Sequence, residues 1–197
     1  MATKERQILI TKIVSNVLNR KAEETRTFDW LINQHKPEHF KELFQNIDKI
    51  FNSLNGQLDT KSVRKLSPDA YFGGGYNFIF EFDEFQHFTS ARLNTFKLYP
   101  KNLHLNYSQN DWQTYCEAHH AKADAYRRNK KTSDFDFTGG RTNQRAYLDC
   151  FRDLLPQLHG LNPTLRISEF EVIDIQWDDM RSRKIIEKLL KEKIRYM

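Results

Sequence analysis

The chain has 197 residues, a formal net charge of +5 and a pI near 9.1. That length suits one domain and is short for two, so residues 1–197 read as a single domain. No apolar run of about 18 residues could cross a bilayer, and no charged start, short apolar stretch and small-residue cleavage site marks a leader; the sequence therefore predicts a cytoplasmic protein with no membrane partner. Two cysteines, Cys116 and Cys150, make no disulfide framework and are expected to be free thiols. The positive excess suits a polyanion, and 15 Phe and 8 Tyr place that charge over an aromatic core and not on a disordered polycation.

In chain order, Ile8, Leu9, Ile13, Val14, Val17 and Leu18 recur at helical spacing and predict an amphipathic helix from about Glu5 to Arg20. Pro37 suits a first helical turn and opens a second helix carrying Phe40, Leu43, Phe44, Ile47 and Phe51, which Asn55-Gly56 stops. Next come Ser67-Pro68-Asp69, a short aromatic segment, Gly73 to Gly75, and Tyr76 to Asp83. Triple glycine between aromatic strand formers predicts a hairpin. Along the second strand Phe78, Phe80 and Phe82 share one face, and Asn77, Ile79, Glu81 and Asp83 share the other. Asp111 to Tyr126 reads as a helix, and Arg127 to Lys131 through Gly139-Gly140 as a basic, mobile loop. A helix from about Asn143 to Leu155 ends near Pro156, a core strand runs from Thr164 to Ile175 with a bulge near Glu169, and a helix striped by Ile185, Ile186, Leu189, Leu190 and Ile194 closes the chain.

Several carboxylates near one strand are costly to bury unless something positive compensates, and a divalent cation does so. Asp69, Glu81 and Asp83 supply the hard oxygen donors that Mg²⁺ prefers, with Mn²⁺ as an alternative. Such an ion lowers the pKa of bound water and neutralises charge on a phosphate. His87 is placed to take the proton, and Gln86 to hold the arrangement.

Pro68-Asp69, Glu81 twelve residues on, and the run Glu81-Phe82-Asp83-Glu84-Phe85-Gln86-His87-Phe88 resemble the core of the PD-(D/E)XK nuclease superfamily, in particular the branch of very-short-patch repair endonucleases and related homing and phage endonucleases. The resemblance implies a restriction-endonuclease-like α/β fold, a central mixed β-sheet flanked by helices. It makes Asp69 and Glu81 metal-binding acids and His87 the catalytic histidine. It extends less specifically to Gln144, Arg145, Asp149 and Arg152 and to Arg166. Two positions depart from the pattern: Asp83 stands where the superfamily has its lysine, and Glu84 where the branch has a glycine. Glu84 with Gln86 is an alternative register.

Other motifs carry less. Gly73 to Gly75 lack a Walker lysine and following helix. Cys116, His119 and His120, closed by Cys150 or His159, match no standard zinc spacing. Arg127, Arg128, Lys130 and Lys131, with Arg141 and Arg145, are candidate phosphate contacts, against the plainer reading of solvated charge. The reading is a metal-dependent DNA endonuclease of restriction, repair or mobile-element defence type, monomeric or homodimeric, with RNA kept as an alternative substrate. The competing readings are a nucleic-acid-binding module that has lost cleavage and a structural or partner-binding protein.

Overall fold

The computed structural model describes residues 3–58 and 62–194. Its sheet has three strands in the order β1 (Ala70–Phe72), β2 (Phe78–Asp83), β3 (Leu165–Ser168). β1 pairs antiparallel with β2, Ala70 facing Phe80; β2 pairs parallel with β3, Glu81 facing Arg166. The hairpin between β1 and β2 forms as expected. Its loop places Gly74 at φ +69° and Asn77 at φ +45°, so Asn77 belongs to the turn and β2 begins one residue later.

The helices are α1 (Thr3–Leu18), α2 (Pro37–Phe40), α3 (Phe44–Ser53), α4 (Ser90–Phe96), α5 (Gln109–Ala125), α6 (Gly140–Leu158) and α7 (Met180–Lys193). β2 is buried on both faces. On its phenylalanine face, Phe78, Phe80 and Phe82 pack with Ile10, Ile13, Val14 and Leu18 of α1 and Ile186 and Leu190 of α7, so the two ends of the described chain cover one side of the sheet. Ile8 departs from the expected stripe and is exposed. A second apolar cluster gathers α3, α4, α5 and α6 around Phe40, Phe51, Trp112, Tyr147 and Phe151. No helix among the described residues is long and apolar enough to cross a membrane. Both cysteines are free and buried, with burial pushing the Cys116 thiol up to about 12 and the Cys150 thiol up to about 11.

Four expectations need correction. The helix opening at Pro37 is interrupted: Lys41 takes φ +47° and a 3₁₀ turn, Lys41–Leu43, separates α2 from α3. The stop at Asn55-Gly56 does form, with Asn55 at φ +58° and the Gly56 N–H donating to the Phe51 carbonyl. α4 has no counterpart in the sequence reading; the Thr89 side chain caps it by accepting from the Arg92 N–H. The expected strand from Thr164 to Ile175 ends at Ser168, where the Glu171 carboxylate accepts from the Ser168 N–H and the Ser168 hydroxyl from the Phe170 N–H, turning the chain.

The fourth is α6, which runs through Pro156 to Leu158. Proline cannot donate to the carbonyl four residues back, so the Arg152 carbonyl loses its helical partner. The Thr164 hydroxyl donates to it instead, from the residue before β3. Thr164→Val keeps the shape and removes that donor. We expect a loss of about 1–3 kcal/mol, the cost of an unsatisfied buried group, read as a lower urea midpoint at unchanged denaturant slope.

Candidate active site

The acid face of β2 meets α6, and the two carboxylates on that face have opposite fates. Asp83 is engaged on both oxygens: Arg166 Nη1 lies 2.7 Å from Oδ1, and Trp112 Nε1 donates to Oδ2 at 2.7 Å. Arg166 is fully buried and also donates through Nε to Asp153 Oδ1 at 2.7 Å. Asp153 Oδ2 in turn accepts from Arg92 Nη2 at 2.5 Å, Tyr99 at 2.6 Å and Tyr107 at 2.8 Å. Burial alone would raise the Asp153 carboxyl, but Arg166, Arg92 and their hydrogen bonds hold it below the usual carboxylate range. The sequence places Asp83 among the metal ligands; both its oxygens are committed instead to this buried network.

Glu81 lies two residues earlier and has no such compensation. Burial pushes its carboxyl up to about 8; Arg152 pulls the other way and Asp69 adds to the rise. Arg152 Nε sits 2.9 Å from Glu81 Oε1 as an ion pair, yet neither atom makes an aligned hydrogen bond, so the contact leaves both underused. Asp69 precedes β1 by one residue, and the β1–β2 register places it opposite Glu81. Its Oδ2 accepts from the Phe82 N–H at 2.8 Å. Burial, opposed by the Phe82 hydrogen bond and by Arg152, leaves the Asp69 carboxyl at about 6.

Asp69, Glu81, Gln86 and His87 line one pocket of about 270 Å³, together with Glu84 and with Arg141, Arg145, Asp149 and Arg152 of α6. Spacings of four, four and three residues along α6 put those last four on one face. A glycine pair sets where that face begins: Gly139 takes φ +89°, and a β-carbon on Gly140 would overlap the Phe135 carbonyl oxygen. His87 Nδ1 lies 2.9 Å from Asp149 Oδ2. Burial would raise the Asp149 carboxyl, but His87, Arg166 and Arg92 hold it well below the ordinary range. An ionised carboxylate only accepts, so Nδ1 carries a proton and Nε2 is left facing away from Asp149. Gln86 Nε2 donates to Glu84 Oε2 at 2.5 Å and Arg145 Nη1 to the Gln86 carbonyl at 3.0 Å, which ties the turn after β2 to α6.

The basic segment is anchored where a mobile loop was expected. Gly139 N–H donates to the Arg128 carbonyl and Arg141 N–H to the Lys130 carbonyl. Arg127 and Arg145 both lie over the Tyr126 ring, at 5.2 and 6.0 Å. Lys131 pairs with Asp136 at 3.3 Å. Arg141 and Arg145 are brought to the acids; Arg127, Arg128, Lys130 and Lys131 are not among the residues lining that pocket.

Among the described residues no three His, Cys, Asp or Glu side chains form a ready metal-holding group. The zinc reading finds no support: Cys116 is packed in the core, the Cys150 thiol donates to the Ala146 carbonyl, His119 stacks on Phe170 at 4.0 Å and His159 on Trp30 at 4.7 Å. A larger cavity of about 630 Å³ near Tyr76, His104 and Gln157 has no carboxylate and no arginine among its described lining residues, so chemistry and not size marks the smaller one. Sequence reasoning missed Arg92, Asp153, Trp112, Tyr99 and Tyr107, which come from α4, α6, α5 and the segment between α4 and α5 and carry no local signal of meeting.

The sequence model of DUF7255, a family of unknown function, matches residues 49–191, which include Asp69, Glu81, His87 and the whole of α6. No curated protein and no solved structure matches the chain.

The raised Asp69 carboxyl has a stability consequence. Its ordinary value is 3.8, so the unfolded chain ionises first as pH rises, and folded stability falls between about pH 4 and pH 6. Glu81 extends the fall toward pH 8. Asp69→Asn still accepts from the Phe82 N–H but has nothing to ionise. It should gain on the parent by on the order of 2–3 kcal/mol between pH 4.5 and pH 7 in metal-free buffer, measured by urea unfolding. A difference that stays flat across that range would mean that Asp69 ionises normally.

Proposed function

We propose that this chain, which belongs to the DUF7255 family, is a metal-dependent endonuclease that hydrolyses phosphodiester bonds in DNA, on a restriction-endonuclease-like fold. One observation carries the reading: two facing carboxylates, one just before β1 and one on β2, both raised by burial, open on a pocket that also holds a carboxylate-anchored histidine and three arginines. Asp69 and Glu81 fit a divalent cation because each is a hard oxygen donor whose charge the protein leaves poorly compensated. Mg²⁺ or Mn²⁺ bound there would supply charge neutralisation and a more acidic water, with further donors coming from water and phosphate.

The chain's own groups do the rest. Arg141 and Arg145 hold phosphate oxygens; burial and neighbouring arginines favour losing charge there, and an incoming phosphate relieves both. His87 accepts a proton at Nε2, while Asp149 fixes the tautomer and stabilises the imidazolium that results. Gln86 braces Glu84, and Arg145 braces the turn that carries His87. One observation favours the second reading, a binding module without cleavage: the Arg152 guanidinium already sits beside Glu81, where a cation would otherwise neutralise it.

Incubation with supercoiled plasmid and Mg²⁺ or Mn²⁺ separates the two. On the nuclease reading the parent nicks or linearises the plasmid, Asp69→Asn and Glu81→Gln stop cleavage while sparing DNA binding, and His87→Ala slows it by roughly 10²–10⁴-fold. Binding without cleavage in the parent selects the second reading. Replacing Arg127, Arg128, Lys130, Lys131, Arg141 and Arg145 in groups should flatten the log–log salt dependence of duplex binding by about 0.9 for each phosphate that is no longer neutralised. A slope unchanged after three replacements would place the phosphate track elsewhere.

A further inference from the structure

A second pocket of about 470 Å³ adjoins the first through a shared residue, Arg141. Its other charged lining residues are Arg64 and Lys130, and Thr132 and Ser133 add hydroxyls. No carboxylate, aromatic or aliphatic side chain lines it among the described residues, and none of the three cations has an ion-pair partner among them. Hydrogen bonds within the protein hold the Arg64 backbone and the Arg141 side chain. The Asn33 N–H donates to the Arg64 carbonyl at 3.0 Å, and Asn33 Oδ1 accepts from the Arg64 N–H at 2.7 Å, fixing the segment that carries Arg64. Arg141 Nη1 donates to Gln144 Oε1 at 2.6 Å, and Gln144 Nε2 donates to Asp134 Oδ1 at 2.8 Å behind the wall.

We propose that this pocket holds the terminal phosphate of a nucleic-acid strand that ends in one, with Arg141 spanning the gap to the acidic pocket; a closed circular duplex, which has no end, is engaged without this contact. The inference rests on the nuclease reading for its polymer substrate, but its own argument is charge and size. Three cations with no ion-pair partner among the described residues exceed what a phosphodiester, with one charge, can neutralise; a phosphomonoester, carrying about 1.5 to 2 charges at neutral pH, matches them better. The volume lies in the range of about 300–1,000 Å³ that holds a whole small molecule, so a terminal nucleotide suits it better than a bare ion. With no aromatic lining to stack a base, recognition is of phosphate and sugar and is indifferent to sequence.

The test is fluorescence anisotropy in EDTA with short single-stranded oligonucleotides bearing a 5′-phosphate, a 3′-phosphate or hydroxyls at both ends, with inorganic phosphate as competitor. We expect one phosphorylated end to bind about ten- to a hundred-fold tighter than the hydroxyl strand, the worth of one or more charge-assisted hydrogen bonds. Arg64→Ala should bring that ratio close to one, and Arg64→Lys should restore most of it. The proposal is overturned if the parent shows no end preference, if Arg64→Ala leaves the ratio intact, or if inorganic phosphate binds as tightly as the phosphorylated strand, which would make this a free-anion site. Cleavage of the same strands with Mg²⁺ or Mn²⁺ distinguishes the two failures: a lasting end preference without cleavage sinks the nuclease reading alone, and cleavage without end preference sinks the pocket alone.

Discussion

The structure depends on how it neutralises Arg166. This guanidinium is fully buried on β3, and it survives there because Asp83 from β2 and Asp153 from α6 each meet it at 2.7 Å, with the Asp149 carbonyl accepting a further bond. A buried charge without partners would cost several kcal/mol, so strand, strand and helix are obliged to meet at this one place. Arg92 extends the obligation to α4 through Asp153, and Trp112 extends it to α5 through Asp83. The apolar clusters give these elements reason to collapse; the ionic network specifies their mutual register.

That network also explains why the candidate site has the character it does. Arg166 faces Glu81 in the parallel ladder, yet it bonds to Asp83. Asp83 is thereby compensated and removed from chemistry, while Glu81 keeps only the unaligned contact with Arg152. Two acids on one face of one strand thus divide into one held by the buried network and one left poorly compensated. Asp149 works in both layers, holding His87 with Oδ2 while its other oxygen lies 3.7 Å from Arg166. The histidine is oriented by the same network that orients the strands.

Much of this was legible in the sequence where the signal was local. The alternation along Phe78 to Asp83 showed which residues share a face, and the glycines marked the hairpin that sets Asp69 opposite Glu81. Asn55-Gly56 stopped a helix where its backbone demands, through a left-handed turn. What was hidden depends on partners far along the chain. Pro156 read as a helix end because nothing nearby reveals that Thr164 satisfies the carbonyl it orphans. The strand after Thr164 read as longer because β-branched residues continue past Ser168, while the turn is made by Glu171, itself held by Lys193 at 2.7 Å. Asp83 read as a ligand because sequence spacing cannot show an arginine 83 residues away closing on it.

The missing lysine is a consequence of the same network. The pattern that the chain resembles has a lysine two residues after the second acid. Here that position is Asp83, and an amine there would face Arg166 at the centre of the buried network, where a second cation without a carboxylate could not be held. On the proposed reading the charge that a phosphate needs comes from elsewhere: Arg141 and Arg145 rise from α6 into the same pocket as His87 and Asp149. A strand position is rigid and admits one geometry, whereas a helix face offers a row of guanidiniums at successive turns, each able to grip an oxygen pair. On the proposed reading, the departure at Asp83 and the cationic face of α6 are one change seen twice: the acid was freed to build the core because the helix carries the charge.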